Sequence, residues 1–111
     1  MGLVEKYINM ILYNVTIGID LDIENEWLEW MVTKHIPKVM ATGMFQEYKI
    51  FKVLSQEDQG SSSYSIQYFS DTIEKVVKYL DEFAPSLVEE HRQKYINRHV
   101  AFRTMLEQIE L

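Results

Sequence analysis

Five side chains carry most of the chemistry this sequence offers: Arg103, the neutral hydrogen-bonding residues Asn14, Thr16 and Gln67, and the helix histidine His35. Arg103 is flanked by Ala101 and Met105, its neighbours on one face of a strand. If that face is buried, the guanidinium must meet an anion, because an unpaired charge taken out of water is costly. A ligand carboxylate or an acidic residue such as Glu47 would serve; on an open sheet the arginine would simply be solvated. Asn14, Thr16 and Gln67 add donors and acceptors without charge. With Arg103 they describe the lining of a pocket for a small organic ligand. His35 directly precedes Ile36-Pro37, where a helix break frees backbone carbonyls, so a capping imidazole is one role for it.

Other chemistries find no support. The chain has no cysteine, hence no thiol nucleophile, thiolate metal site or disulfide framework. Its histidines, at 35, 91 and 99, share no zinc-ligand spacing, and no HExxH, phosphate loop or serine-nucleophile elbow occurs. We therefore expect no metal and no cofactor. His91 follows Glu89 and Glu90 and reads as a surface residue, and His99 opens a strand in a structural role. The acidic clusters Glu24/Glu26/Glu29 and Glu89/Glu90 read as solvated helix faces.

A formal net charge of -6 argues against a nucleic-acid partner, which needs a basic footprint. No apolar run approaches the length of a membrane span and no signal-peptide pattern is visible, so a cytoplasmic protein is expected. With 111 residues, 47% of them hydrophobic, the chain suits one globular domain with its own core. Met1 to Asn9 carry little pattern, while Met10 opens the clean strand MILYNVTIGI. We read residues 1–9 as an N-terminal extension and 10–111 as the domain.

Four strands and two helical stretches position these groups. Met10–Ile19 alternates Tyr13, Val15, Ile17 with Leu12, Asn14, Thr16. A helix from Ile23, with Asp22 as N-cap, runs through Trp27, Trp30 and Met31, bends at Pro37 and ends at Gly43. Trp27, Trp30 and Met31 form a stripe suited to core packing. Phe45–Leu54 mixes Lys and Glu as an edge strand does. The polar loop Gln56–Ser63 leads into Tyr64–Ser70, which sets Tyr64, Ile66, Tyr68 against Ser65, Gln67, Phe69. Helices Ile73–Phe83, with a stripe of Ile73, Val76, Val77, Leu80 and Phe83, and Leu87–Tyr95 follow, joined through Pro85. In the last strand, His99–Ile109, Val100, Phe102 and Leu106 oppose Ala101, Arg103 and Met105. The order β-α-β-β-α-α-β predicts an α+β, ferredoxin-like split βαβ sandwich: a four-stranded antiparallel sheet with helices on one face. The apolar set of each strand, including Val100, Phe102 and Leu106, is expected beneath the helices. The opposite face mixes polar groups with Leu12, Phe51, Val53, Phe69 and Met105. A patch of that size favours burial against a second copy, forming a barrel, over open solvent.

Several blocks carry a resemblance: MILYNVTIGID at the start, EWLEWMVTKHIPKVMATGMF at Glu26–Phe45, YLDEFAPSLVEEH at Tyr79–His91 and VAFRTMLE at Val100–Glu107. Together, over about Met10 to Glu110, they resemble a family of short bacterial proteins of unknown function within the dimeric α/β-barrel, ferredoxin-like superfamily. The resemblance implies a homodimer joined through the sheet face. Members of the wider superfamily, such as cofactor-free monooxygenases, use a helix histidine near the cavity, which would make His35 a general base or a ligand anchor. Two functions are then in view: a module binding a small ligand or a partner, and a cofactor-independent enzyme, monooxygenase- or isomerase-like.

Overall fold

Strict alternation in Ile11–Asp20 decides the architecture. Ile11, Tyr13, Val15, Ile17 and Ile19 are all buried on one face of this strand, while Leu12, Asn14 and Thr16 on the other are only half-buried. A computed structural model describes residues 10–55 and 60–110. Met1–Asn9, read above as an extension, and the 56–59 part of the polar loop lie outside the described residues.

The sheet contains β1 (Ile11–Asp20), β2 (Glu47–Lys52), β3 (Ser61–Ser70) and β4 (His99–Glu107) in the order β2-β3-β1-β4, every pair antiparallel. That order, with helical crossovers between β1 and β2 and between β3 and β4, is the ferredoxin-like α+β sandwich. The first crossover holds α1 (Glu24–Trp30), a π-helical turn over Met31–His35, and α2 (Ile36–Ala41). The second holds α3 (Ile73–Glu82) and α4 (Ala84–Lys94).

Pro37 does not simply bend the first helix. The turn before it widens, and the Ile36 amide donates to the Met31 carbonyl five residues back. A proline has no amide to donate and its ring crowds the carbonyl four residues earlier, so the wider turn absorbs the misfit. His35 is the last residue of that turn. Two other local expectations change. Asp22 makes no cap; it lies in a short 3-10 turn, Leu21–Ile23, and bonds Arg98, whose Nε also donates to Asp20 at 2.6 Å. In α3 the buried residues are Val76 and Tyr79, whereas Ile73 and Val77 are exposed. Thr72 caps α3, accepting from the Lys75 amide at 3.2 Å, and Gly43, as expected, takes the left-handed φ of 77° after α2.

The core lies between sheet and helices: β1 and β3 contribute Tyr13, Val15, Ile17, Tyr64, Ile66 and Tyr68, and the first helix contributes Trp27, Met31, Ile36 and Val39. In β4 the faces are the reverse of the expectation. Val15 pairs with Arg103, Ile17 with Ala101 and Tyr13 with Met105, so these three β4 residues lie on the helix side. Val100, Phe102 and Leu106 pair with Gly18, Thr16 and Leu12 on the open face and are exposed, Phe102 by 61%. Residues directly opposite in an antiparallel pair share a face, so register outweighs the apolar count. Met105, expected on the open face, therefore leaves that patch.

Candidate functional site

Reversal of β4 divides the expected pocket. Asn14 and Gln67 are cross-strand partners and, with Thr16, lie on the open face, while Arg103 projects from the helix side. The three open-face residues do not surround a void with Arg103. They bond one another through Ser65: the Asn14 amide donates to Thr16 Oγ1 at 3.0 Å, Ser65 Oγ donates to Asn14 Oδ1 at 2.6 Å, and the Gln67 amide donates to Ser65 Oγ at 3.3 Å. Side chains already satisfied within a ladder have little capacity left for a ligand.

Arg103 instead joins His35. Both line a cavity between sheet and helices whose polar wall also includes His91, Tyr13, Tyr68 and Tyr79. The rest of its wall is apolar, with Val15, Ile17 and Ile66 from the sheet and Met31 and Val88 from the helices. Its solvent space of about 30 Å³ admits one or two water-sized groups. Tyr13, Val88 and Arg103 also line an outer cleft of about 310 Å³ formed with Leu80, Ala84, Pro85 and Glu89. Arg103 thus stands where a shallow cleft meets an interior chamber.

Helix geometry brings in the histidines. His35, at the end of the widened turn, stacks on Trp30 with ring centroids 5.3 Å apart and planes 28° apart. Its Nδ1 is buried without a hydrogen-bond partner, so the carbonyl-capping role is not the one it plays through that atom. Burial pushes its pKa down to about 4, with the nearby Glu90 charge opposing and Lys38 and Arg103 assisting. His91 is buried on α4, not on the surface, and its Nε2 accepts a hydrogen bond from Trp27 Nε1 at 2.9 Å. Burial, aided by His99, His35 and Arg103, lowers its pKa to about 3. Both rings are neutral at pH 7, each offering one donor and one acceptor nitrogen. Because Nε2 of His91 accepts, its proton resides on Nδ1.

The phenols respond to the same surroundings. Burial raises Tyr68, Tyr79 and Tyr13, and for Tyr13 the hydrogen bond and charge of Arg103 pull the other way. Arg103 makes no ion pair among the described residues, unlike Arg92 with Glu89 and Arg98 with Asp20. The arrangement is one cation, two neutral imidazoles and three protonated phenols around an apolar chamber. It can orient a polar or anionic ligand group and accept or share a proton at an imidazole. Among the described residues no three His, Asp or Glu side chains converge as a metal site.

Sequence reasoning singled out His35 and Arg103 but left His91 on the surface and treated Tyr13, Tyr68 and Trp27 as packing. One signal for His91 was present: Ala84, Val88, His91 and Tyr95 recur at helical spacing, and all four face inward. Trp27 is core, as expected, but it is also the donor that fixes His91.

Several solved structures share the fold at low sequence identity. SnoaB, a cofactor-independent oxygenase from Streptomyces nogalater, is 10% identical, with a TM-score of 0.63 over 91% of this chain and 95% of that one. A dimeric ferredoxin-like protein from an uncultured marine organism is 11% identical, with a TM-score of 0.58 over 93% of this chain and 98% of that one. An EthD-family protein from Bacillus halodurans is 9% identical, with a TM-score of 0.60 over 91% of this chain and 99% of that one. No curated protein matches this chain. The profile of DUF4286, a domain of unknown function, spans residues 10–109, and the chain belongs to that family.

Proposed function

We propose that this protein is a homodimeric α/β-barrel module that binds a small organic ligand between the sheet and helices of each protomer. The observation that carries the reading is the chamber in which the unpartnered Nδ1 of His35 and a guanidinium without a carboxylate partner line one wall. A buried polar atom without a partner costs about 1–3 kcal/mol, which a bound group can recover. His35 and Arg103 are then ligand-binding residues, and His91 joins them. Asn14, Thr16 and Gln67 support the opposite face of the sheet, where the second copy packs.

The dimer reading draws on that face. Phe51, Val100, Phe102 and Leu106 are exposed around the polar ladder, an apolar patch of the kind that marks association surfaces. Likeness to a protein described as dimeric and ferredoxin-like points the same way. Light scattering during size-exclusion chromatography tests it: a dimer is expected, dissociating in Phe51→Glu, and a monomeric native protein overturns the barrel. We place the protein in the cytoplasm and without a nucleic-acid partner, given its acidic charge; no helix among the described residues is long and apolar enough to cross a membrane.

A second reading is a cofactor-independent enzyme of the monooxygenase or isomerase kind, with His35 as catalytic base. The neutral imidazole, with its Nδ1 buried and unpartnered beside the chamber, favours it, as does the likeness to a cofactor-independent oxygenase.

A further inference from the structure

Two carboxylates approach the chamber, and each is paired with a cation, although Glu90 Oε1 is buried without a hydrogen-bond partner. Glu89, in the outer cleft, accepts from Arg92 Nε at 2.9 Å, from Arg92 Nη2 at 2.7 Å and from Gln93 at 2.7 Å, so both its oxygens are engaged. Glu90, whose charge acts on His35, bonds Lys38 Nζ at 2.8 Å. Arg103, exposed at the mouth of the chamber, makes no ion pair among the described residues, in a protein whose net charge is -6. It interacts with the Tyr13 hydroxyl, which is neutral.

Shape adds to charge. The outer cleft is apolar along Leu80, Ala84, Pro85 and Val88, and the inner chamber has room for one or two polar atoms. A ligand matching all three features has a charged end, an apolar body and a small polar group. Resting on the ligand-binding reading above, we infer that the site takes a small organic carboxylate. Its carboxylate pairs with Arg103, its apolar body lies along the cleft, and a hydroxyl or carbonyl reaches His35. A guanidinium binds a carboxylate through two parallel hydrogen bonds, a geometry that an ammonium cannot reproduce. The same contact rejects the matching amide, which leaves the charge unanswered.

The test titrates the full-length protein with phenylacetate, benzoate and hexanoate and with the amide of each, followed by ¹H–¹⁵N NMR. The two indole NH signals report from just behind the chamber wall, Trp27 through its bond to His91 and Trp30 through its stack on His35. At least one carboxylate is expected to bind tenfold or more tightly than its amide. Arg103→Met should reduce that preference to parity, while Arg103→Lys retains part of it. His35→Phe, which keeps a ring on Trp30, should weaken carboxylates bearing a hydroxyl beside the carboxylate (mandelate) more than phenylacetate itself. Acid and amide binding with equal affinity, or a preference that survives Arg103→Met, overturns the carboxylate inference and leaves the ligand site standing. Failure of every compound to move either indole signal overturns both. Unchanged amide dispersion in the variant spectra establishes that each has folded.

Discussion

The indole of Trp27 and the imidazole of His91 meet across the helix layer, Nε1 to Nε2 at 2.9 Å, with ring planes nearly perpendicular at 88°. Trp27 comes from the first crossover and His91 from the second, 64 residues later. One hydrogen bond thus ties the two helical layers together above the sheet and sets the state of a cavity residue. A tryptophan NH can only donate, so His91 must keep Nε2 unprotonated.

That constraint predicts acid lability. His91 and His35 have pKa values of about 3 and about 4 in the folded protein, below the ordinary value of 6.5 that both regain on unfolding. Between those limits the unfolded chain binds protons that the folded chain refuses. Stability from these groups is complete above about pH 6.5 and falls as the pH drops toward 4. Each group contributes a slope of up to about 1.4 kcal/mol per pH unit. Urea denaturation at pH 7 and pH 5 should show the loss. His91→Gln, whose side-chain oxygen can still accept from Trp27, should diminish it. An unchanged pH dependence in that variant would show that His91 is not the group responsible.

Trp27→Phe removes the donor while keeping an aromatic ring. Nε2 of His91 then loses its partner in a buried site, and part of the indole volume becomes a cavity. We expect a loss of about 2–4 kcal/mol in unfolding free energy. In a His91→Leu background, which has no acceptor for the indole NH, the cost should change by about 1 kcal/mol, since the two residues touch. Strict additivity in that double-mutant cycle would deny the hydrogen bond an energetic role.

How far the structure could be read from residues alone depends on what each strand faces. In β1 and β3 the aromatic and β-branched sets are buried, as their alternation predicts, because both are central strands with a dry core on one side. Helix boundaries near Pro37 and Gly43 were legible because each residue has a specific backbone consequence. β4 was not, since it is an edge strand whose helix side borders a chamber. There Ala101 and Arg103 are tolerated, and the more apolar Val100 and Phe102 turn outward. The same inversion moved Arg103 away from Asn14 and toward His35. His91 was obscured by its exposed neighbours Glu89 and Arg92, which are paired on the solvent side of α4.

The polar ladder on the open face should be structural. Asn14→Ala deletes the acceptor for Ser65 and the donor for Thr16, and a cost of about 1 kcal/mol is expected from the lost hydrogen bonds. Carboxylate affinity should be unaffected, because the sheet separates Asn14 from Arg103. Denaturation and ligand titration of the same variant check both halves. A large drop in affinity with unchanged stability would return Asn14 to the ligand site.

Phe102 and Met105 provide the sharpest contrast between the two faces. They are three residues apart in β4 and project to opposite sides: Phe102 pairs with Thr16 on the open face, and Met105 pairs with Tyr13 on the helix side. In an isolated protomer both are substantially exposed, 61% and 42%, so a charge at either position should cost that protomer little. In a sheet-to-sheet dimer the positions differ. Phe102→Glu places a carboxylate near its symmetry mate in a desolvated interface, where like charges repel and neither finds a partner. We expect Phe102→Glu to run as a monomer in light scattering at concentrations where the native protein is dimeric, and Met105→Glu to remain a dimer. Dissociation caused by Met105→Glu alone would move the interface to the helix side of β4, beside the chamber, and would reverse the assignment of the two faces of the sheet.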